Sequence, residues 1–220
     1  MDLKSKVFLQ LYRANGNFVS GEALASVCDV TRAAVWKAVK ALKEEGYEIE
    51  SVTNRGYTLL PTKKQVDARA VELLTGIKTL FFDRLPSTNA YALTSAAPLP
   101  FLVIAKEQTE GKARHEEKFL SPDGGVYFSY AFAPDLPITE LPALTYRIAE
   151  QIAELLGGRA LENEVFLPNG KKAAGVLTEM IADFDNVKKA VIGIGLLQDG
   201  LQEKDKTEIV VDLITRIQKL

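Results

Sequence analysis

Four cations and no anion fall within the twelve residues Arg32–Lys43. A run of one sign on a helix suits contact with an anionic polymer, because each Lys or Arg can neutralise a phosphate. Thr31, just before the run, is a helix N-cap residue. Thr31 and Arg32 therefore stand at the helix start, where a groove-entering helix carries its base contacts, with Lys37 and Lys40 further along. Arg55 lies at a turn, where a cation meets phosphate. Lysines on a helix are also an ordinary solvated face, and such modules also dock proteins. Metal chemistry has no support: His115 is the only histidine and Cys28 the only cysteine, in different halves of the chain. Cys28 is expected in the core of the first domain.

The elements needed to position these cations are legible around them. Leu3, Val7, Leu9, Leu11 and Tyr12 predict a helix ending at Asn15-Gly16. Ser20 caps a short helix, Gly21 to Val27, with Ala23, Leu24 and Val27 as its apolar side. The turn Cys28-Asp29-Val30 leads to the basic helix, whose Val35, Val39 and Leu42 recur at helical spacing before Gly46 stops it. Trp36 is expected as a core anchor rather than a base-stacking residue. Tyr47–Val52 and Gly56–Leu59 alternate about Thr53-Asn54-Arg55-Gly56 and predict a hairpin. Helix, short helix, turn, basic helix and hairpin in that order predict a winged helix-turn-helix over residues 1–62. Together with the caps and the charge sign, this order favours double-stranded DNA as the partner.

The whole chain constrains the class. At ~150 residues per domain, its 220 residues leave room for one large or two small domains. With 47% hydrophobic and 25% charged residues it is neither disordered nor collagenous nor a coiled coil. Net charge −2 argues against coating nucleic acid all over, yet residues 1–62 carry 8 basic and 7 acidic side chains against 19 and 22 in the remainder. A single cysteine fits a reducing compartment. The N-terminus shows no apolar signal segment, and the uncharged stretch Leu85–Ala105 is broken by Pro86, Pro98 and Pro100. No membrane association and a cytoplasmic location are expected.

Beyond a polar linker from Thr62, running into a helix with Val66, Ala70, Leu73 and Leu74, the pattern turns to mixed α/β. Strands are predicted at 77–82, 101–105, 126–132, 176–181 and 191–195. Helices are predicted at 89–97, 143–156 and 206–220. Interspersed strands and helices with hairpin spacing near 165–181 predict an α+β sheet domain over residues 63–220.

In this part of the chain, Pro86-Ser87-Thr88-Asn89, Ala105 to Gly111, Ser121-Pro122-Asp123-Gly124-Gly125-Val126-Tyr127, Gly170-Lys171-Lys172-Ala173-Ala174-Gly175-Val176-Leu177-Thr178-Glu179 and Ile192-Gly193-Ile194-Gly195 follow one another. That ordered set resembles the bifunctional biotin–protein ligases that double as biotin-operon repressors. A winged helix at the N-terminus is their repressor half, so the resemblance covers nearly the whole chain. It implies a small molecule, biotin, as ligand and effector, with ATP and Mg²⁺ for its activation to biotinyl-adenylate. It also implies a homodimer formed through the central sheet that grips an operator. By the same resemblance, Ser87, Thr88 and Gln108 hydrogen-bond the ureido head of biotin, with Asn89 beside them. Gly111, Lys112 and Arg114 belong to the ligand-covering loop, while Lys172 and Gly175 face the acyl and phosphate region. Taken singly, Ser87-Thr88-Asn89 is also an ordinary helix cap and Gln108 an ordinary loop polar residue.

The chain also departs from the family's pattern. Its phosphate loop alternates glycine and arginine; here Ala113, Glu116 and Glu117 interrupt the run, and carboxylates beside a phosphate repel it. Of a Lys-Trp-Pro-Asn-Asp segment only Asn163 and an acid, Glu164, remain. Leu197 stands in place of an amide, and the family's C-terminal SH3-like barrel has no counterpart before Leu220. What faces the biotin head is kept, while what faces ATP and the carrier protein is eroded. The expectation is a biotin-responsive repressor derived from a ligase, with no catalytic residue at work. The alternatives are a minimal active biotin–[acetyl-CoA carboxylase] ligase, in which Lys172 would be catalytic, and a pocket that has drifted to another small carboxylate.

Overall fold

The computed structural model describes residues 1–60, 65–114, 117–184, 186–202 and 204–220. The chain divides into two compact units, Met1–Thr62 and Lys63–Leu220.

The first unit holds α1 (Leu3–Arg13), α2 (Gly21–Cys28), α3 (Arg32–Glu44) and the antiparallel hairpin of β1 (Ile49–Val52) and β2 (Gly56–Leu59). Its caps are the residues the sequence marks: Ser20 Oγ accepts from Ala23 N at 3.0 Å and Thr31 Oγ1 from Ala34 N at 3.2 Å. Val7, Phe8, Leu11, Leu24, Cys28, Val35, Val39 and Leu42 bury its core. Two expectations are corrected. The buried side of α2 is Leu24, Ala25 and Cys28, and Val27 is exposed. Trp36 is not a core anchor: it is 55% exposed, because the buried stripe of α3 runs through Val35, Ala38, Val39 and Leu42 and turns position 36 outward.

The second unit is one seven-stranded sheet in the order β3-β4-β5-β9-β8-β7-β6. Its strands are β3 (Lys78–Leu85), β4 (Phe101–Gln108), β5 (Val126–Phe132), β6 (Arg159–Leu161), β7 (Glu164–Phe166), β8 (Lys172–Asp183) and β9 (Asn186–Leu196). Only β3 and β4 run parallel, the crossover being α5 (Thr88–Thr94). The helices α4 (Ala68–Thr75), α6 (Leu141–Leu156) and α8 (Lys206–Ile217), with the short α7 (Gln198–Leu201), complete the unit.

Alternation along the strands sorts the faces. Leu102 and Ile104 join Ile148, Ile152, Val210 and Leu213 in the large core under α6 and α8. Phe101 and Val103 point the other way, to Ala92 of α5. Helices α6 and α8 thus pack on one face of the sheet, while on the other α5 covers only part, which leaves a floor for a ligand. The start of the predicted linker, positions 62–64, lies outside the described residues. The 176–181 and 191–195 segments are longer than expected and form one hairpin, and the β6–β7 hairpin was not foreseen.

Candidate functional site: a charge-balanced pocket on a glycine floor

The open face of the sheet carries a cavity of ≈320 Å³. Its floor is built by Gly175 on β8 and by Gly193 and Gly195 on β9. Side chains there would collide: a Cβ on Gly193 would lie 2.3 Å from Asn89 Oδ1, and one on Gly195 2.2 Å from Phe119 Cζ.

Ser87, Thr88, Asn89, Gln108, Lys112, Arg114, Lys172 and Gly175 all line this one cavity. Gly111 is not part of the lining. It closes the base of the covering loop, where Phe119 N donates to Gly111 O at 2.8 Å. Glu117 lines the cavity, whereas His115 and Glu116 lie outside the described residues.

One end of the cavity is a buried polar relay. Asn89 Nδ2 donates to Leu177 O (3.2 Å) and Glu179 Oε2 (2.8 Å), so its Oδ1 faces Ser129 as an acceptor. Ser129, fully buried, donates to that oxygen at 2.6 Å and accepts from Thr88 Oγ1 at 2.7 Å. Gln108 Oε1 accepts from Thr88 N at 2.8 Å and lies 3.0 Å from Thr88 Oγ1, the other acceptor for that hydroxyl's single proton. Gln108 Nε2 donates to Ser121 Oγ at 3.2 Å. Ser87 Oγ accepts from Ala90 N as the α5 N-cap, at 3.3 Å. Counting protons, Ser87 keeps one to donate, Gln108 keeps one, and Thr88 keeps lone pairs. The set suits a small head group with a carbonyl beside an N–H.

The other end is ionic, and its charges are matched. Among the described residues Lys112, Arg114 and Lys172 line it together with Glu117, Glu162 and Glu164. Arg114 Nη1 donates to Glu162 Oε2 at 2.9 Å and approaches Asn163 Oδ1 at 3.4 Å. Lys172 is ion-paired with Glu164. Glu162 reaches Arg114 from a tight β6–β7 turn in which its own φ is +53°. Asn163 pins that turn to β8 by donating Nδ2 to Val176 O at 2.8 Å. Phe119 covers the floor, 6.1 Å from the Tyr127 ring centroid. Ser129, Phe119, Glu162 and Glu179 are site residues that sequence reasoning did not assign. Ser129 is one polar residue inside the apolar run Val126–Phe132, and that interruption was the available signal. Among the described residues no group of three or more His, Cys, Asp or Glu side chains is placed to hold a metal ion.

In the first unit Thr31 caps α3, and Arg32, Lys37 and Lys40 are exposed along it. Arg55 lies between β1 and β2, its guanidinium 4.1 Å from the Phe18 ring centroid.

These two units define a helix-turn-helix joined to a ligase-type α/β sheet domain. Residues 4–58 match the HTH domain family, and residues 81–197 match the biotin/lipoate A/B protein ligase family. The chain belongs to the biotin/lipoate A/B protein ligase family. It is 35% identical over 209 residues to the bifunctional ligase/repressor BirA of Bacillus subtilis, with 87% of this chain and 64% of that protein covered. It is 28% identical over 194 residues to the protein of the same name from Escherichia coli, covering 83% of this chain and 60% of that one. The chain thus spans less than two thirds of the length of these curated relatives. Among solved structures, the biotin protein ligase from Aquifex aeolicus in complex with biotin and ATP superposes with a TM-score of 0.51 at 21% identity. That match covers 64% of this chain and 69% of the other. The biotin acetyl coenzyme A carboxylase synthetase from Helicobacter pylori gives the same score and identity, over 65% and 74%. At this identity the two structures establish the fold alone.

Among the described residues no helix is long and apolar enough to cross a membrane.

Proposed function

We propose that this chain is a biotin-responsive, DNA-binding transcriptional regulator, acting as a cytoplasmic repressor, on a ligase fold that no longer activates biotin. The observation that carries the reading is the pairing of two of the pocket's cations, Arg114 and Lys172. Holding a triphosphate requires positive charge aimed at its oxygens. Arg114 and Lys172 are instead engaged by Glu162 and Glu164, and Glu117 adds a third carboxylate. The residues present do not fit ATP. They do fit biotin, whose ureido carbonyl and N–H groups complement Ser87, Gln108 and Thr88 in the relay.

The helix-turn-helix unit, with Thr31, Arg32, Lys37, Lys40 and Arg55, is the part that meets operator DNA. A homodimer through β8 supports this. Beyond Val176, no described strand pairs with the outer edge of β8, and Met180 and Ile181 stand exposed along it. An unpaired edge invites a second copy, and two copies give the paired contacts that half-sites need.

The active-ligase reading is favoured by one observation, the presence of Lys172 in the lining with its ammonium 6.0 Å from the Phe119 ring centroid. Calorimetric titration of the full chain with biotin, and electrophoretic shift of duplex DNA with and without it, test the proposal. Biotin binding coupled to altered DNA affinity is expected. No heat with biotin would overturn it and favour a different small carboxylate.

A further inference from the structure

We propose that Trp36 is itself a DNA contact, an apolar reader of thymine methyl groups in the major groove. The inference rests on the DNA-binding reading of the first unit and specifies how that unit reads sequence.

The side chain is 55% exposed on α3, about a third of a turn round from the buried stripe of Val35, Ala38, Val39 and Leu42. Ala33, Trp36, Lys37 and Lys40 are spaced so that they share an outward face. A lone exposed aromatic residue needs no explanation in itself. This one stands among cations, on the helix that a helix-turn-helix lays into the major groove. The Lys40 ammonium sits 5.8 Å from the indole centroid, which restrains the ring, and 3.9 Å from Glu44 Oε1, an exposed pairing weak enough for a phosphate to displace. Between phosphate-seeking cations, the apolar feature a groove offers is the thymine methyl. Charge complementarity therefore commits this face to duplex DNA, and the indole supplies what the lysines cannot, a preference for sequence.

Trp36 is the only tryptophan in the chain, so intrinsic fluorescence has a single source. Duplexes would be selected from a random pool by the full chain with saturating biotin, and labelled-DNA anisotropy would measure binding separately. On binding, Trp36 emission should shift to shorter wavelength and resist acrylamide quenching. Trp36→Ala should weaken binding roughly tenfold, as loss of a specific base contact does. Its salt dependence should stay unchanged, whereas Lys40→Ala should lower the salt slope by about one. Deoxyuridine in place of the contacted thymine should cost the native chain roughly fourfold, the worth of one methyl, and cost Trp36→Ala nothing. Trp36→Phe, which keeps an apolar ring, should fall between. DNA that binds without changing Trp36 emission or quenching would overturn this inference and leave the DNA-binding reading standing. Selection that enriches no duplex would overturn both.

Discussion

Glu162 Oε2 lies 2.9 Å from Arg114 Nη1, and through that contact a residue of the β6–β7 turn occupies a cation of the covering loop. Glu164, two residues on, does the same to Lys172. The hairpin thus sets two carboxylates where an anionic ligand would otherwise find two free cations.

Both pairs are partly exposed, so their removal should change stability by less than about 0.5 kcal/mol. Their effect should be read in ligand preference instead. Glu162→Gln should raise affinity for a nonhydrolysable biotinyl-adenylate analogue about fivefold, one screened charge's worth, while leaving biotin affinity unchanged. Parallel calorimetric titrations with the two ligands check this. Equal gains for both would point to a change of shape rather than of charge.

The Thr88–Ser129–Asn89 relay predicts a different signature. Ser129→Ala leaves Asn89 Oδ1 without its donor and lets the Thr88 proton turn to Gln108. Biotin affinity should fall about tenfold and stability by about 1–3 kcal/mol, as expected for a buried acceptor left unpaired. Gly193→Ala should damage the same relay from below, because its Cβ would meet Asn89 Oδ1 at 2.3 Å. Denaturant titration with and without biotin separates the two effects.

On the β8 edge, Ile181→Lys should block association of two copies while leaving biotin binding intact, since a charged strand edge resists pairing. Sedimentation at DNA-saturating concentrations should show a dimer for the native chain and a monomer for the variant. A native chain that stays monomeric with biotin bound would contradict the proposed seam.

Burial holds the Tyr127 phenol well above its ordinary value of 10.0, with Asp123 acting in the same direction. Burial also raises Tyr130. A group whose folded pKa is raised keeps its full contribution below the unfolded pKa and loses it as pH rises beyond. Stability should therefore decline above about pH 10, by up to ~1.4 kcal/mol per pH unit for each phenol. Tyr127→Phe should reduce that slope without abolishing it, and also lose the 2.5 Å hydrogen bond to Pro122 O. Urea midpoints measured across pH 8 to about 11 would show it.

Several of these parts were legible in the sequence. The Ser20 and Thr31 caps, the hairpin around Arg55 and the strand Val126–Phe132 follow from local chemistry and form as expected. Trp36 was misread because residue type argued for burial, while the helix phase set by Val35, Val39 and Leu42 decided otherwise. The β6–β7 hairpin escaped because its strands are three residues each and its turn uses Glu162 at positive φ, with neither glycine nor proline to mark it. Lys172–Gly175 lie before the strand predicted at 176–181 because small residues give little strand signal, yet the neighbouring strands recruit them into β8. The charge pairing of Arg114 with Glu162 joins residues 48 positions apart, beyond the reach of local pattern.

The most direct test of the central claim is pyrophosphate release by the native full chain given biotin, ATP and Mg²⁺, after calorimetry has shown that biotin is bound. Activation of biotin releases one pyrophosphate per adenylate formed. With Arg114 and Lys172 held by Glu162 and Glu164, release should not exceed that of a biotin-free control. Steady, biotin-dependent pyrophosphate release would contradict the account and establish the chain as an active ligase.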